Sequence, residues 1–129
     1  MRTIIRLAVA GLLAAAPLAM TAPAAQAGSD DVIRTGSCTG ASDWKLKLSL
    51  EDGRIEVEFE VDQNVVGDTW RVRFFRNGDL FATARATTRA PSGSFEVRRL
   101  ATDGSGTDAF RVRAANLGTG EVCVGRASI

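Results

Sequence analysis

The chain has no histidine and no tyrosine, and its 129 residues include only two cysteines, two methionines and three prolines. The missing histidine excludes Ser-His-Asp and Cys-His nucleophile activation, imidazole general bases and histidine metal ligands. A charge excess of one sign is missing too. With 16 basic residues against 15 acidic, there is no overall basic field to hold nucleic acid. Carboxylates remain as catalytic candidates. Glu56, Glu58 and Glu60 alternate along one stretch and so line a single solvent face, whereas glycoside hydrolysis needs two carboxyl groups facing each other across a substrate.

Two loops are rich in oxygen ligands: Asp62-Gln63-Asn64 with Gly67-Asp68, and Asp103-Gly104-Ser105-Gly106-Thr107-Asp108. Neither has the twelve-position calcium spacing with its closing glutamate, and the same residue types simply make turns. Gly104 and Gly106 lack the lysine and helix of a phosphate loop. No catalytic residue, metal site or cofactor is assigned, and the chain reads as non-enzymatic. Calcium at either loop is the alternative left open.

What is present begins with an export signal of bacterial type. Arg2 and Arg6 precede an apolar run from Leu7 to Met20, followed by Ala25-Gln26-Ala27. Small residues at Ala25 and Ala27 suit signal-peptidase cleavage after Ala27. Pro17 interrupts a run shorter than the ~20 residues of a membrane span. The expectation is a signal peptide at 1–27 and one secreted, extracellular domain at 28–129, with no membrane anchor. Loss of Arg2 and Arg6 leaves 14 basic and 15 acidic residues. Cys38 and Cys123 both lie in the exported part. An oxidising compartment favours their pairing, which ties the start of the domain to its end.

Period-two alternation dominates the rest. Trp44 to Leu50 is apolar at every even position and Ile55 to Val61 at every odd one, with Asp52-Gly53 between them. A two-residue turn there sets Leu50 against Ile55, Leu48 against Val57, Leu46 against Phe59 and Trp44 against Val61. On the other face Lys47 then meets Glu58 and Lys45 meets Glu60, so apolar and opposite-charge matches coincide. A slip of one residue destroys both. A second hairpin turns at Asn77-Gly78, with Trp70, Val72 and Phe74 on one face and Arg71, Arg73 and Phe75 on the other. Leu80 to Thr87 reads as an edge strand, Ser94 to Leu100 as another strand. Phe110, Val112 and Ala114 alternate with Arg111 and Arg113, and Val122 to Ala127 closes the chain. With a short strand near Asp31 to Ser37, the spacing predicts an all-β, antiparallel two-sheet sandwich of about 7–8 strands with one disulfide.

Phe74-Phe75-Arg76-Asn77-Gly78-Asp79-Leu80 resembles the third strand and turn of an immunoglobulin-like domain. Phe110-Arg111-Val112-Arg113-Ala114-Ala115-Asn116 resembles its sixth strand, with Phe110 in the usual tyrosine's place and Val112 in the cysteine's. The corresponding second strand, Ile55 to Val61, has no cysteine either. The resemblance implies an immunoglobulin-like sandwich without its usual inter-sheet disulfide or tyrosine corner. It also implies that the Trp70 and Phe110 strands are sheet neighbours.

That adjacency gathers the candidate binding residues Arg71, Arg73, Phe75, Arg111 and Arg113 on one face, flanked by Leu80, Val122, Val124 and Arg126. Charge is segregated along the chain as well. Residues 28–68 hold 10 acidic and 4 basic residues, and 69–129 hold 5 acidic and 10 basic. Arginine grips phosphate and carboxylate bidentately, so the first expectation is a secreted binding module for an anionic polymer or protein. An alternative is a self-assembly or protein-interaction module using Phe75, Leu80, Val122 and Val124. A small enzyme or inhibitor is a third. The bland reading of the arginines is that long stems cover strand surface and that acids such as Asp79 or Glu121 neutralise them. Oligomeric state is open.

Overall fold

The computed structural model describes residues 30–129, so the expected signal peptide and its cleavage after Ala27 lie outside the described residues. Eight strands follow in order: β1 (Val32–Ser37), β2 (Asp43–Glu51), β3 (Arg54–Asp62), β4 (Thr69–Arg76), β5 (Asp79–Thr87), β6 (Ser94–Thr102), β7 (Ala109–Asn116) and β8 (Val122–Ser128). They form two four-stranded antiparallel sheets, ordered β1-β2-β3-β6 and β5-β4-β7-β8. The all-β sandwich expected from the alternation is therefore observed, and its sheet order is compatible with an immunoglobulin-like domain.

Local chemistry sets the two hairpins. Asp52 and Gly53 have φ of 48° and 78°, and Asn77 and Gly78 have 48° and 88°. A tight two-residue hairpin turn needs positive φ at both central positions, which Asn, Asp and Gly adopt at least cost. The β2–β3 pairing is the one expected, with Trp44 opposite Val61, Leu46 opposite Phe59, Leu48 opposite Val57 and Leu50 opposite Ile55. The inward sets meet between the sheets. Leu46, Leu48, Ile55, Val57, Phe59 and Val61 come from one sheet, and Trp70, Val72, Phe74, Phe110, Val112, Ala114 and Cys123 from the other. Burying each of the larger ones contributes about 1.5–3 kcal/mol.

The two sides of the sandwich are closed by different means. On one side the Cys38–Cys123 disulfide, with a Cα–Cα distance of 4.3 Å, ties the end of β1 to β8. On the other, the edges of β5 and β6 run side by side, and Arg99 points inward between them. Its guanidinium donates to the Arg98 carbonyl (2.7 Å) and the Thr83 carbonyl (3.4 Å) and lies 5.9 Å from the centre of the Phe74 ring. An inward-turned charge that caps carbonyls of both edge strands blocks further strand pairing there.

Candidate functional site

The outer face of the β5-β4-β7-β8 sheet follows from its register. Directly opposed residues of an antiparallel pair share a face. Arg71 on β4 stands opposite Arg85 on β5. Arg73 stands opposite Arg113 on β7, and Arg111 opposite Arg126 on β8. Phe75 opposes Arg111 across β4 and β7, and the Arg111 guanidinium sits 3.9 Å above the Phe75 ring. The five residues singled out from sequence are thus brought together.

Arg85 was not legible. A regular hairpin from Asn77-Gly78 sets Phe74 against Phe81 and so turns Arg85 towards the core. Instead, pairing shifts between Phe74 and Phe75, so that Phe75 opposes Leu80 while Phe74 opposes Ala82. One extra residue in a bulge inverts the facing of everything beyond it. Phe81 stays inward against Phe74 and Phe110, with ring centroids 6.0 Å apart in each pair, and the shift turns Ala82, Ala84 and Ala86 inward after it. It thereby puts Arg85 on the outer face, opposite Arg71. The sequence signal was the alternation of Ala82, Ala84 and Ala86 with Thr83, Arg85 and Thr87, out of phase with a regular turn that sets Phe81 inward.

None of these six arginines forms an ion pair or donates a side-chain hydrogen bond among the described residues. The ion pairs present use Lys47, Arg76 and Arg98 instead. The two acids expected as neutralisers are placed elsewhere. Asp79 opposes Arg76 at the hairpin end, and the Glu121 carboxylate accepts from the Ser42 backbone N–H (3.2 Å) and the Ser42 hydroxyl. Three like-charged cross-strand pairs therefore stand uncompensated, an arrangement that opposes folding by about 0.2–1 kcal/mol per pair.

The outer face of the other sheet is mixed. Lys47 opposes Glu58, which opposes Arg98, and the Arg98 Nε lies 2.9 Å from Glu96, 3.4 Å from Glu58 and 3.9 Å from Glu56. Glu58 is only 8% exposed, so it is not the solvated carboxylate expected from its position; Arg98 and its neighbours cover it. Burial pushes its carboxyl above the usual range, as does hydrogen bonding with Glu96, against the opposing pull of Arg98 and Lys47. Both carboxylates are shared with the one Arg98 guanidinium.

The acidic loops are tied into the scaffold. Asp68 accepts from the amides of Gln63 (2.5 Å) and Asn116 (2.9 Å), and these bonds, Asn116's first, hold its carboxyl below the usual range. Asp108 is 2% exposed and accepts from Arg76 (2.6 Å), the Gly104 N–H (3.0 Å) and Asn77 (3.2 Å). Burial alone raises such a carboxyl, but these three donors outweigh it and hold Asp108 below the usual range. A Cβ at Gly104 would come 2.5 Å from the Arg76 guanidinium, so a side chain there has to displace Arg76 from its place beside Asp108.

Two concavities adjoin the arginine face. A groove of about 540 Å³ between the β5 and β6 edges is lined by Arg85, Arg89, Arg98, Arg99 and Glu96, with Phe95 and Val97. A smaller hollow of about 280 Å³ at the opposite corner is lined by Phe75, Arg111 and Arg126. No protein-family model, curated protein or solved structure matches this chain.

Proposed function

We propose that this chain is an exported, non-enzymatic binding module of immunoglobulin-like architecture that holds an anionic partner on the outer face of the β5-β4-β7-β8 sheet. One observation carries the reading: six arginines share that face with no carboxylate among them. Cross-strand repulsion is a standing cost to the fold, and an anionic ligand relieves it. The architecture is supported by the sheet order, in which β3 and β6 share one sheet while β4, β7 and β8 share the other. That division matches the second and fifth strands of an immunoglobulin sandwich against its third, sixth and seventh. Export is supported by the sequence of residues 1–27, and the disulfide suits an oxidising compartment.

The test uses isolated bacterial cell envelopes and the purified protein. The protein should sediment with the envelopes at low ionic strength and be released as salt rises, as screening requires. Replacing Arg71, Arg73, Arg111 and Arg113 with Ser should abolish this association. Unchanged sedimentation of the quadruple variant overturns the reading.

A further inference from the structure

We infer that the six arginines form a single diagonal track, and that its ligand is a linear phosphodiester polymer whose phosphates are separated by a short polyol. This rests on the reading of the face as an anion-binding surface and adds to it the shape and chemistry of the anion. The order of the residues makes the track. Arg85 on β5 faces Arg71 on β4. Two residues along β4 comes Arg73, which faces Arg113 on β7. Two residues along β7 comes Arg111, which faces Arg126 on β8. Each step shifts by one strand and by two residues, so the three pairs climb across all four strands.

Opposed residues lie about 5 Å apart and residues two apart along a strand about 7 Å, so successive pairs are displaced by about 8 Å. On one side the track is bordered by Ala115, Val122 and Val124, and on the other by Thr83, Leu80 and Phe75, which occupy the remaining places in the same rows. It runs from the groove that Arg85 helps to line to the hollow that Arg111 and Arg126 help to line. A point anion needs one pair. A diagonal of three pairs, open at both ends, fits a chain.

Two features select the chemistry. The two non-bridging oxygens of a phosphodiester diverge from a tetrahedral phosphorus and each accepts from arginine, so one phosphate can be shared by two arginines, and here the arginines stand in opposed pairs along the sheet. Phosphates joined through three carbons repeat every six backbone bonds, as many as two extended residues contain and so about 7 Å. A three- to five-carbon polyol therefore brackets the spacing of the pairs. Single-stranded nucleic acid carries phosphates at a similar pitch, but its proteins stack bases on aromatic rings. The one ring on this face, Phe75, is already covered by Arg111 at 3.9 Å.

Calorimetric titration of the purified protein with glycerol-phosphate and ribitol-phosphate oligomers of one to six phosphates tests the inference. Affinity should rise at least about tenfold from one phosphate to three, as three pairs fill in turn, and gain little per phosphate beyond three. Its salt dependence for the three-phosphate oligomer should have a logarithmic slope of about −2. Arg71→Ser with Arg85→Ser, which removes one pair, should shift the plateau from three phosphates to two. Arg34→Ser with Arg54→Ser, an equal charge change off the face, should leave the plateau at three. Oligoglutamate, sulfated oligosaccharide and oligothymidylate of matched charge should each bind at least about tenfold more weakly. Equal affinity for any of these, or affinity indifferent to length, overturns the track while leaving the anion-binding face standing. Failure of every polyanion to bind overturns both.

Discussion

On the outer face of the β1-β2-β3-β6 sheet, Arg98 sits among Glu56, Glu58 and Glu96, and Lys47 stands opposite Glu58. On the outer face of the other sheet, arginine stands opposite arginine three times over. Both surfaces are four strands wide and both obey the same alternation, so neither strand geometry nor burial accounts for the difference. The first face is mixed: Lys45 faces Glu60, Lys47 faces Glu58 and Glu58 faces Arg98, while Glu60 also faces Glu96 and Asp43 faces Asp62. The second carries three arginine pairs and no ion pair among the described residues, and the proposed anion-binding role rests on that contrast.

The disulfide sets the largest expected effect and serves as the reference for both faces. Replacing Cys38 and Cys123 with Ser frees a loop of 85 residues' separation, which the chain-entropy estimate values at about 4–5 kcal/mol. Denaturant unfolding should show that loss, while anion binding by the remaining folded molecules stays unchanged, because the β4–β7 pairing does not depend on the bond. Loss of binding beyond the loss of folded protein tells against two independent roles.

Arg73→Glu puts a carboxylate opposite Arg113 and makes one row of the cationic face resemble the mixed one. Stability should rise, by up to about 1 kcal/mol, while envelope binding falls. A variant that loses both tells against the idea that the face trades stability for a ligand. The mirror change, Arg98→Met, should act in the opposite direction and by less. Its side chain is 61% exposed and solvent screens it, so the unfolding midpoint should drop only slightly.

Smallest are the effects of pH. Glu58 is held above its usual range, first by burial and then by Glu96, so the folded state binds its proton more tightly than the unfolded chain does. Stability from this group is present below the ordinary glutamate range and is lost as pH rises through the elevated value. Asp108 has the opposite sign. Its three donors keep it low despite burial, so its stabilisation is present above the ordinary aspartate range and is lost as pH falls through the depressed value. Thermal unfolding against pH should therefore lose its mildly acidic slope in Glu58→Gln and its strongly acidic fall in Asp108→Asn. Unaltered profiles tell against these two environments.

The amino-acid sequence by itself determined which residues point inward along β2, β3, β4 and β7, where the two hairpins turn, and which cysteines pair. Those features are local or nearly so. Alternation fixes facing, Asp52-Gly53 fixes the β2–β3 register, Asn77-Gly78 fixes where the second hairpin turns, and two cysteines in one domain leave one partner each. It also made Arg71, Arg73, Arg111 and Arg113 recognisable as a cluster, once their two strands were taken as neighbours. The tertiary structure alone decided the rest. Arg85 faces outward because a bulge after Leu80 lets Phe81 and then Ala82, Ala84 and Ala86 all face the core, and no local rule of the Asn77-Gly78 turn requires that extra residue. Glu121 reaches Ser42 rather than an arginine because the disulfide brings β8 beside the β1–β2 loop. Four arginines became six, and a cluster became a diagonal, through contacts between residues far apart in the chain.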